Sequence, residues 1–257
     1  MSRIKQAAAA LWAAAALAVN AGQYTDLWWN PQESGWGANI VHQGETAFVT
    51  LFVYGPDGMP TWYVASGART FAYDASGRPA LQGSLYRTSG PWLGAPFDPS
   101  SVQVRAVGSL TIEPAPDDSI TVHYVAEGVT VAKRLVRQTF ELPDIGGNYH
   151  GSFHLRQAIP GQAPWGTREY AGEILVHLDG GSAFLRVAEV ASRCEYRGAH
   201  SQRGKFGRIA GGFQCDDGTS GTFEITDFEI AQHGISGYLR TWSPANNQYG
   251  RFGAARY

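Results

Sequence analysis

The chain has 257 residues, 32 of them glycine and 13 proline, with 20 Lys+Arg against 22 Asp+Glu. So even a charge balance excludes the basic surface that nucleic acid requires, and the length allows one large or two small cores. Long helical periodicity is absent and turn residues are abundant, which excludes a helical bundle and points to an all-β protein.

The N-terminus reads as an address. Arg3 and Lys5 precede an apolar run of Ala, Leu and Trp, and Val19-Asn20-Ala21 supplies residues that a signal peptidase accepts. Residues 1–21 are therefore expected to be a signal peptide cleaved after Ala21. The run is shorter than the roughly 20 residues that cross a bilayer as a helix, and nothing later approaches a transmembrane helix. Removing 21 residues, two of them basic and none acidic, leaves 236 residues with 18 Lys+Arg against 22 Asp+Glu. The expected location is secreted or periplasmic.

From residue 23 to 140 the signals repeat as strand, turn, strand. Residues 35–43 form a candidate strand with Trp36, Ala38, Ile40 and His42 on one face. Residues 46–54 are apolar on both faces, with Phe48 and Phe52 one way and Val49, Leu51 and Val53 the other, a pattern of two-sided burial. Strands are also expected at 61–66, 81–87, 102–112, 120–125 and 129–140. In 102–112 the alternation places Val102, Val104, Ala106, Leu110 and Ile112 inward. Residues 89–100 break the rhythm with a Pro/Gly loop that holds Trp92 and Phe97, readable as a plug in a barrel end or a lid over a pocket. Pro143 and the paired glycines at 146 and 147 mark a boundary, giving an N-terminal domain at 22–142 and a C-terminal domain at 147–257.

The second half offers strands at 149–155, 173–178, 183–190, 194–197, 205–215, 222–230, 235–242 and 248–257, with a long loop at 156–169 that carries Trp165. Two antiparallel barrel-like (up-and-down meander) or sandwich domains of about eight short strands each follow from this count. Cys194 and Cys215 are the only cysteines, and in an exported chain they are expected to form a cross-strand disulfide. Residues 41–49 and 176–185 read alike as strand, turn, strand, which raises a duplication of the two halves.

Four tryptophans, Trp28, Trp29, Trp36 and Trp62, crowd residues 27–64. Rings at such density either fill a small barrel or stack on flat apolar and sugar-like ligands; strand patterning favours the core for Trp29, Trp36 and Trp62. Trp28 faces away from Trp29 if that stretch is extended, so one of the two is expected to reach an exterior or a rim. The run LWWNPQESGWG at 27–37, His42-Gln43-Gly44, and Pro60-Thr61-Trp62-Tyr63-Val64 resemble a motif of uncharacterised exported proteobacterial proteins. That resemblance spans about 40 residues and carries no activity across. A fainter likeness to avidin-type and lipocalin-type barrels rests on architecture alone and implies one end able to hold a ligand.

Ionisable groups give little chemistry. Glu33 and His42 are the acid–base candidates, yet a regular strand separates them by about 30 Å. His150 and His154 share a strand face with Ser152 between, roughly 13 Å apart and too far for one metal ion. Neither a metal nor a cofactor is expected, and Asn30 and Ser34 fit turn capping. The reading is thus an exported non-enzymatic binding protein for a small apolar or glycan-like ligand, or for a cell-envelope protein partner. The candidate contacts are Trp28, Asn30, Ser34, Trp36, Trp62, Tyr63, Trp92, Trp165 and Trp242. A hydrolase using Glu33 and His42, and a structural envelope protein, are the alternatives.

Overall fold

A computed structural model of the chain describes residues 24–115, 118–140, 144–159, 166–189, 192–231 and 233–257. The expected signal peptide, Pro143 and Trp165 lie outside the described residues. Among the described residues sixteen strands form two closed, antiparallel, eight-stranded barrels, each an up-and-down meander. The first contains β1 (Asp26–Trp29), β2 (Gly37–Gln43), β3 (Thr46–Tyr54), β4 (Pro60–Tyr73), β5 (Pro79–Ser89), β6 (Gln103–Pro114), β7 (Ile120–Ala126) and β8 (Val129–Arg137). The second contains β9 (Gly147–Ala158), β10 (Gly166–Asp179), β11 (Ser182–Ala188), β12 (Arg193–Arg203), β13 (Phe206–Cys215), β14 (Ser220–Ala231), β15 (Gly234–Trp242) and β16 (Asn247–Arg256). The chain divides between Gln138 and Thr139, a few residues before the expected boundary. The Thr139 hydroxyl accepts from the Gly204 amide at 2.7 Å, which ties it to the second barrel.

Alternation along the strands fills each interior. In the first barrel Ala38, Ile40, Val49, Leu51, Leu81, Leu85, Leu110, Ile112, Ile120 and Leu135 point inward and are buried. The second is packed with rings: Phe153 stacks on Tyr170 at 4.6 Å and on Phe252 at 5.4 Å, while Tyr196 lies against Phe213 and Phe223. Eight strands enclose a space just wide enough for such side chains. Surfaces for other molecules therefore lie on the walls and rims.

The two barrels close in different depths but with the same device. β1 and β8 share two register pairs, Trp28↔Arg137 and Trp29↔Val136, and the Gln138 amide adds a bond to the Leu27 carbonyl at 2.8 Å. At this seam the Arg137 guanidinium lies 4.3 Å over the Trp28 ring and bonds Asp26 at 3.2 Å and Asp118 at 3.3 Å. Trp28 Nε1 donates to the carbonyl of Tyr24, and the Tyr24 hydroxyl donates to the carbonyl of Pro79. In the second barrel β9 and β16 pair from Asn247↔Ala158 to Arg256↔Tyr149. There the Tyr149 hydroxyl donates to the Ile145 carbonyl, also four residues back, and receives the Arg256 guanidinium. The look-alike hairpins at 41–49 and 176–185 are the β2–β3 and β10–β11 hairpins, the second and third strands of their barrels. The halves thus repeat one another in topology and in latch.

Three expectations need correction. Val102, just before β6, and Val104 and Ala106 within it are exposed rather than inward. A bulge opposite Leu85 and Tyr86 inserts Val107, which is buried, and so reverses the parity of everything before it. Gly108 sits there at φ +155°, and an added Cβ would fall 1.9 Å from the Val125 carbonyl oxygen. The loop expected at 156–169 is shorter, because β9 runs to Ala158 and β10 starts at Gly166. The outer side of β3 is not buried: Phe48 and Phe52 face solvent while Val49 and Leu51 fill the core. The disulfide forms as expected, with Cys194 and Cys215 directly opposed between β12 and β13 and their Cα atoms 4.0 Å apart.

Candidate functional site

In an up-and-down meander the links β1–β2, β3–β4, β5–β6 and β7–β8 all fall at one end of the barrel. In the first barrel this end gathers the 30–36 turn, the 55–59 turn and the 90–102 loop. The 30–36 turn is built locally: Asn30 Oδ1 accepts from the Gln32 amide at 3.0 Å, and the Asn30 carbonyl accepts from the Glu33 amide at 3.0 Å. Gly35 at φ +104° completes it, and an added Cβ there would sit 2.9 Å from the Tyr54 hydroxyl. Asn30 is therefore a capping residue, and Ser34 is exposed beside it.

Below this turn the outer wall is aromatic. Register sets Trp29, Gly37, Phe52 and Trp62 side by side across β1 to β4. Phe52 is 37% exposed and Trp62 52%, directly opposite each other, with Tyr54 exposed two residues further along β3. An added Cβ at Gly37 would lie 2.8 Å from Phe52 Cζ, so the ring occupies the space the glycine leaves open. Trp62 Nε1 donates to the Thr88 hydroxyl at 3.2 Å, which fixes the indole plane. Trp62 was expected in the core; strand parity puts it outside, because its neighbour Tyr63 takes the inward position and is buried. Trp36 is half-buried and packs against the core from the rim.

Among the described residues the rim carries two ion pairs. Lys133 Nζ meets Glu33 Oε1 at 2.8 Å, and Arg105 clamps Glu127 with both terminal nitrogens. The Arg105 hydrogen bonds hold the Glu127 carboxyl below its ordinary range. Burial, and secondarily the nearby Tyr63, pushes the Tyr124 phenol up. Phe52, Tyr54, Thr88, Arg105, Glu127 and Lys133 were absent from the sequence-based candidates. The period-2 pattern of β3 held the signal for Phe52 and Tyr54, whereas the ion pairs join residues 100 positions apart (Glu33 with Lys133) and 22 apart (Arg105 with Glu127) and leave no local trace.

The remaining candidates separate. Trp28 is fully buried, so it belongs to the latch and not to a contact surface, and Trp29 is the one that reaches the wall. Trp92 is 77% exposed and Phe97 is also exposed, which rules out the plug reading of the 90–102 loop. The indole folds back over Gly94, where an added Cβ would lie 2.1 Å from it. Trp242 lies on the outer wall of the second barrel, partly exposed. Glu33 and His42 do not converge: Glu33 is in the β1–β2 link, whereas His42 is buried at the far end of β2, stacked on Tyr24 at 5.6 Å. With this separation the pair supplies no shared proton-transfer site.

What the wall can do is hold flat surfaces. Half-exposed rings on a hydrogen-bonded sheet lose little entropy on contact and present apolar faces with polar edges. Comparison with models of known protein families gives no match to this chain, and comparison with curated proteins gives none. Among the described residues no helix is long and apolar enough to cross a membrane.

Proposed function

We propose that the protein is an exported, non-enzymatic binding protein that takes a small apolar or sugar-like ligand on the aromatic wall of its first barrel. One observation carries this reading: Phe52 and Trp62 stand directly opposite each other, both partly exposed, on adjacent strands. A filled interior leaves the wall as the apolar surface on offer, and an exposed aromatic pair at a rigid position marks a contact site more than a fold requirement. Export is supported by the basic and apolar N-terminal run and by the Cys194–Cys215 disulfide.

The test is a titration of intrinsic tryptophan fluorescence against a broad panel of glycans and lipids. Binding at the wall shifts the emission, and Trp62→Ala lowers affinity by about tenfold or more, as loss of a central aromatic contact does. Trp92→Ala leaves affinity within about twofold, since its indole rests on its own loop. Unchanged emission across the panel would sink the small-ligand reading. The hydrolase alternative gains nothing from the placement of Glu33 and His42.

A further inference from the structure

The outer wall of the second barrel contains a groove of about 700 Å³, lined by Ser152, His154, Glu169, Ala171, Arg251 and Gly253. That volume lies within the range of small-molecule sites. Register builds one bank from Glu169, His154 and Arg251, neighbours on β10, β9 and β16. His154 Nδ1 and Glu169 Oε1 are 2.7 Å apart, and both side chains are about two-thirds exposed. With Nδ1 engaged by the carboxylate, Nε2 is the ring nitrogen that can meet a ligand. Beyond Arg251 in the same row stands Tyr238 on β15, its ring 6.3 Å from that of Tyr249.

The floor contains a glycine that the fold does not require. At Gly172, Gly198, Gly221 and Gly250 an added Cβ would come within 2.3 Å of a backbone oxygen, so those glycines are dictated by packing. At Gly253, inside β16, an added Cβ would meet nothing within 4 Å. Glycine weakens a strand interior, and close approach of another molecule is one reason a strand keeps one where no neighbour demands it; Gly67 in β4 and Gly166 in β10 meet open space in the same way, and Gly253 is the one of the three that lies in this groove. Ala171 and Ser152 continue the floor at the same register level.

The bank holds one carboxylate, one guanidinium and one imidazole, donors and acceptors without an excess of either sign. A strongly charged ligand gains little there, whereas a chain of hydroxyls finds a partner for each polarity and sets its C–H face on Ala171 and Gly253. β9 is hydrogen-bonded on both sides, so its amides are spent on the ladder and none is left to stabilise an oxyanion. A Ser152–His154 nucleophile and base would therefore have no oxyanion donor from β9. We propose that this groove is a second binding site, for a neutral oligosaccharide segment held by Glu169, His154 and Arg251. It does not depend on the first-barrel wall.

Two-dimensional amide NMR on the full chain tests it, with cellotetraose, chitotetraose and maltotetraose as probes. At least one sugar is expected to shift the amides of Ser152, Ala171 and Gly253 together, with a dissociation constant of about 1 mM or tighter. Gly253→Val, whose Cβ enters open space, puts an apolar side chain on the groove floor and abolishes those shifts, with the dispersed amide pattern of the other residues confirming that the barrel is intact. Glu169→Gln, at an exposed position, weakens them by about tenfold. Trp62→Ala leaves them unchanged, which separates this site from the first-barrel reading. The proposal is overturned if no sugar moves that cluster, if Gly253→Val binds like the parent, or if sodium phosphate moves the cluster and the sugars do not.

Discussion

Arg137 holds the first barrel shut through one side chain. Its guanidinium is fully buried, caps the Trp28 ring and meets two carboxylates, at a seam with two register pairs. Removing one partner of a buried charge cluster leaves the others uncompensated, so Arg137→Ala is expected to cost about 3 kcal/mol. Arg256→Ala removes the equivalent latch from the second barrel, but β9 and β16 pair along nearly their whole lengths and the arginine is exposed. Its expected cost is about 1 kcal/mol. Urea unfolding followed by tryptophan emission ranks the two; equal losses would remove the seam as the reason. The sequence hides this role, because Lys133, Arg134 and Arg137 look like one basic cluster on a solvated strand. In the fold Lys133 goes to Glu33, Arg134 Nε to the Ser119 hydroxyl, and Arg137 inside.

At the scale of elements, hairpins pair locally and are easy to see in sequence. The turns at 44–45, 57–58 and 74–77, the opposed cysteines and the common face of Ala38, Ile40 and His42 all follow from period-2 patterning and turn chemistry. What escaped was whatever patterning reports only relative to a partner strand. The inserted Val107 in β6 reads as uninterrupted alternation until β5 is set beside it. Likewise, β3 is apolar on both sides, and sequence alone does not say that one side meets solvent. The β12–β13 hairpin, bridged over 21 residues, also yields an expectation. Replacing Cys194 and Cys215 by alanine should lower the second barrel's stability by about 2–3 kcal/mol, since the bridge restricts the unfolded chain. The ten-position ladder around it keeps the hairpin formed. Differential calorimetry should show the second barrel's transition moving down and the first barrel's staying put; a shift in both would contradict the division at Gln138.

Over the whole molecule, both cores bury phenols. Burial raises Tyr196 to about 12 and pushes Tyr24 and Tyr170 higher still. A folded-state value above the unfolded one, about 10 for tyrosine, means the protonated phenol belongs to the native state. The stability this confers is complete below about pH 10 and is lost as pH rises through the folded value, so the second barrel is expected to lose stability in alkali between about pH 10 and 12, and the first to begin losing it above about pH 10. Tyrosinate absorbance and circular dichroism should then change together; ionisation of every tyrosine near pH 10 without loss of the β signal would refute it.

Closure by first and last strands also governs how the chain is made. The edge of β1 has no partner until β8 has been synthesised, more than a hundred residues later, and the edge of β9 waits in the same way for β16. Each half therefore passes through a stage as an open sheet with a free edge, the form most prone to join another chain. The chain meets that hazard twice, once per half, and sequential completion keeps the two exposed edges from being present at the same time. Co-translational capture of the nascent chain should thus be strongest just before residue 137 and again just before residue 256.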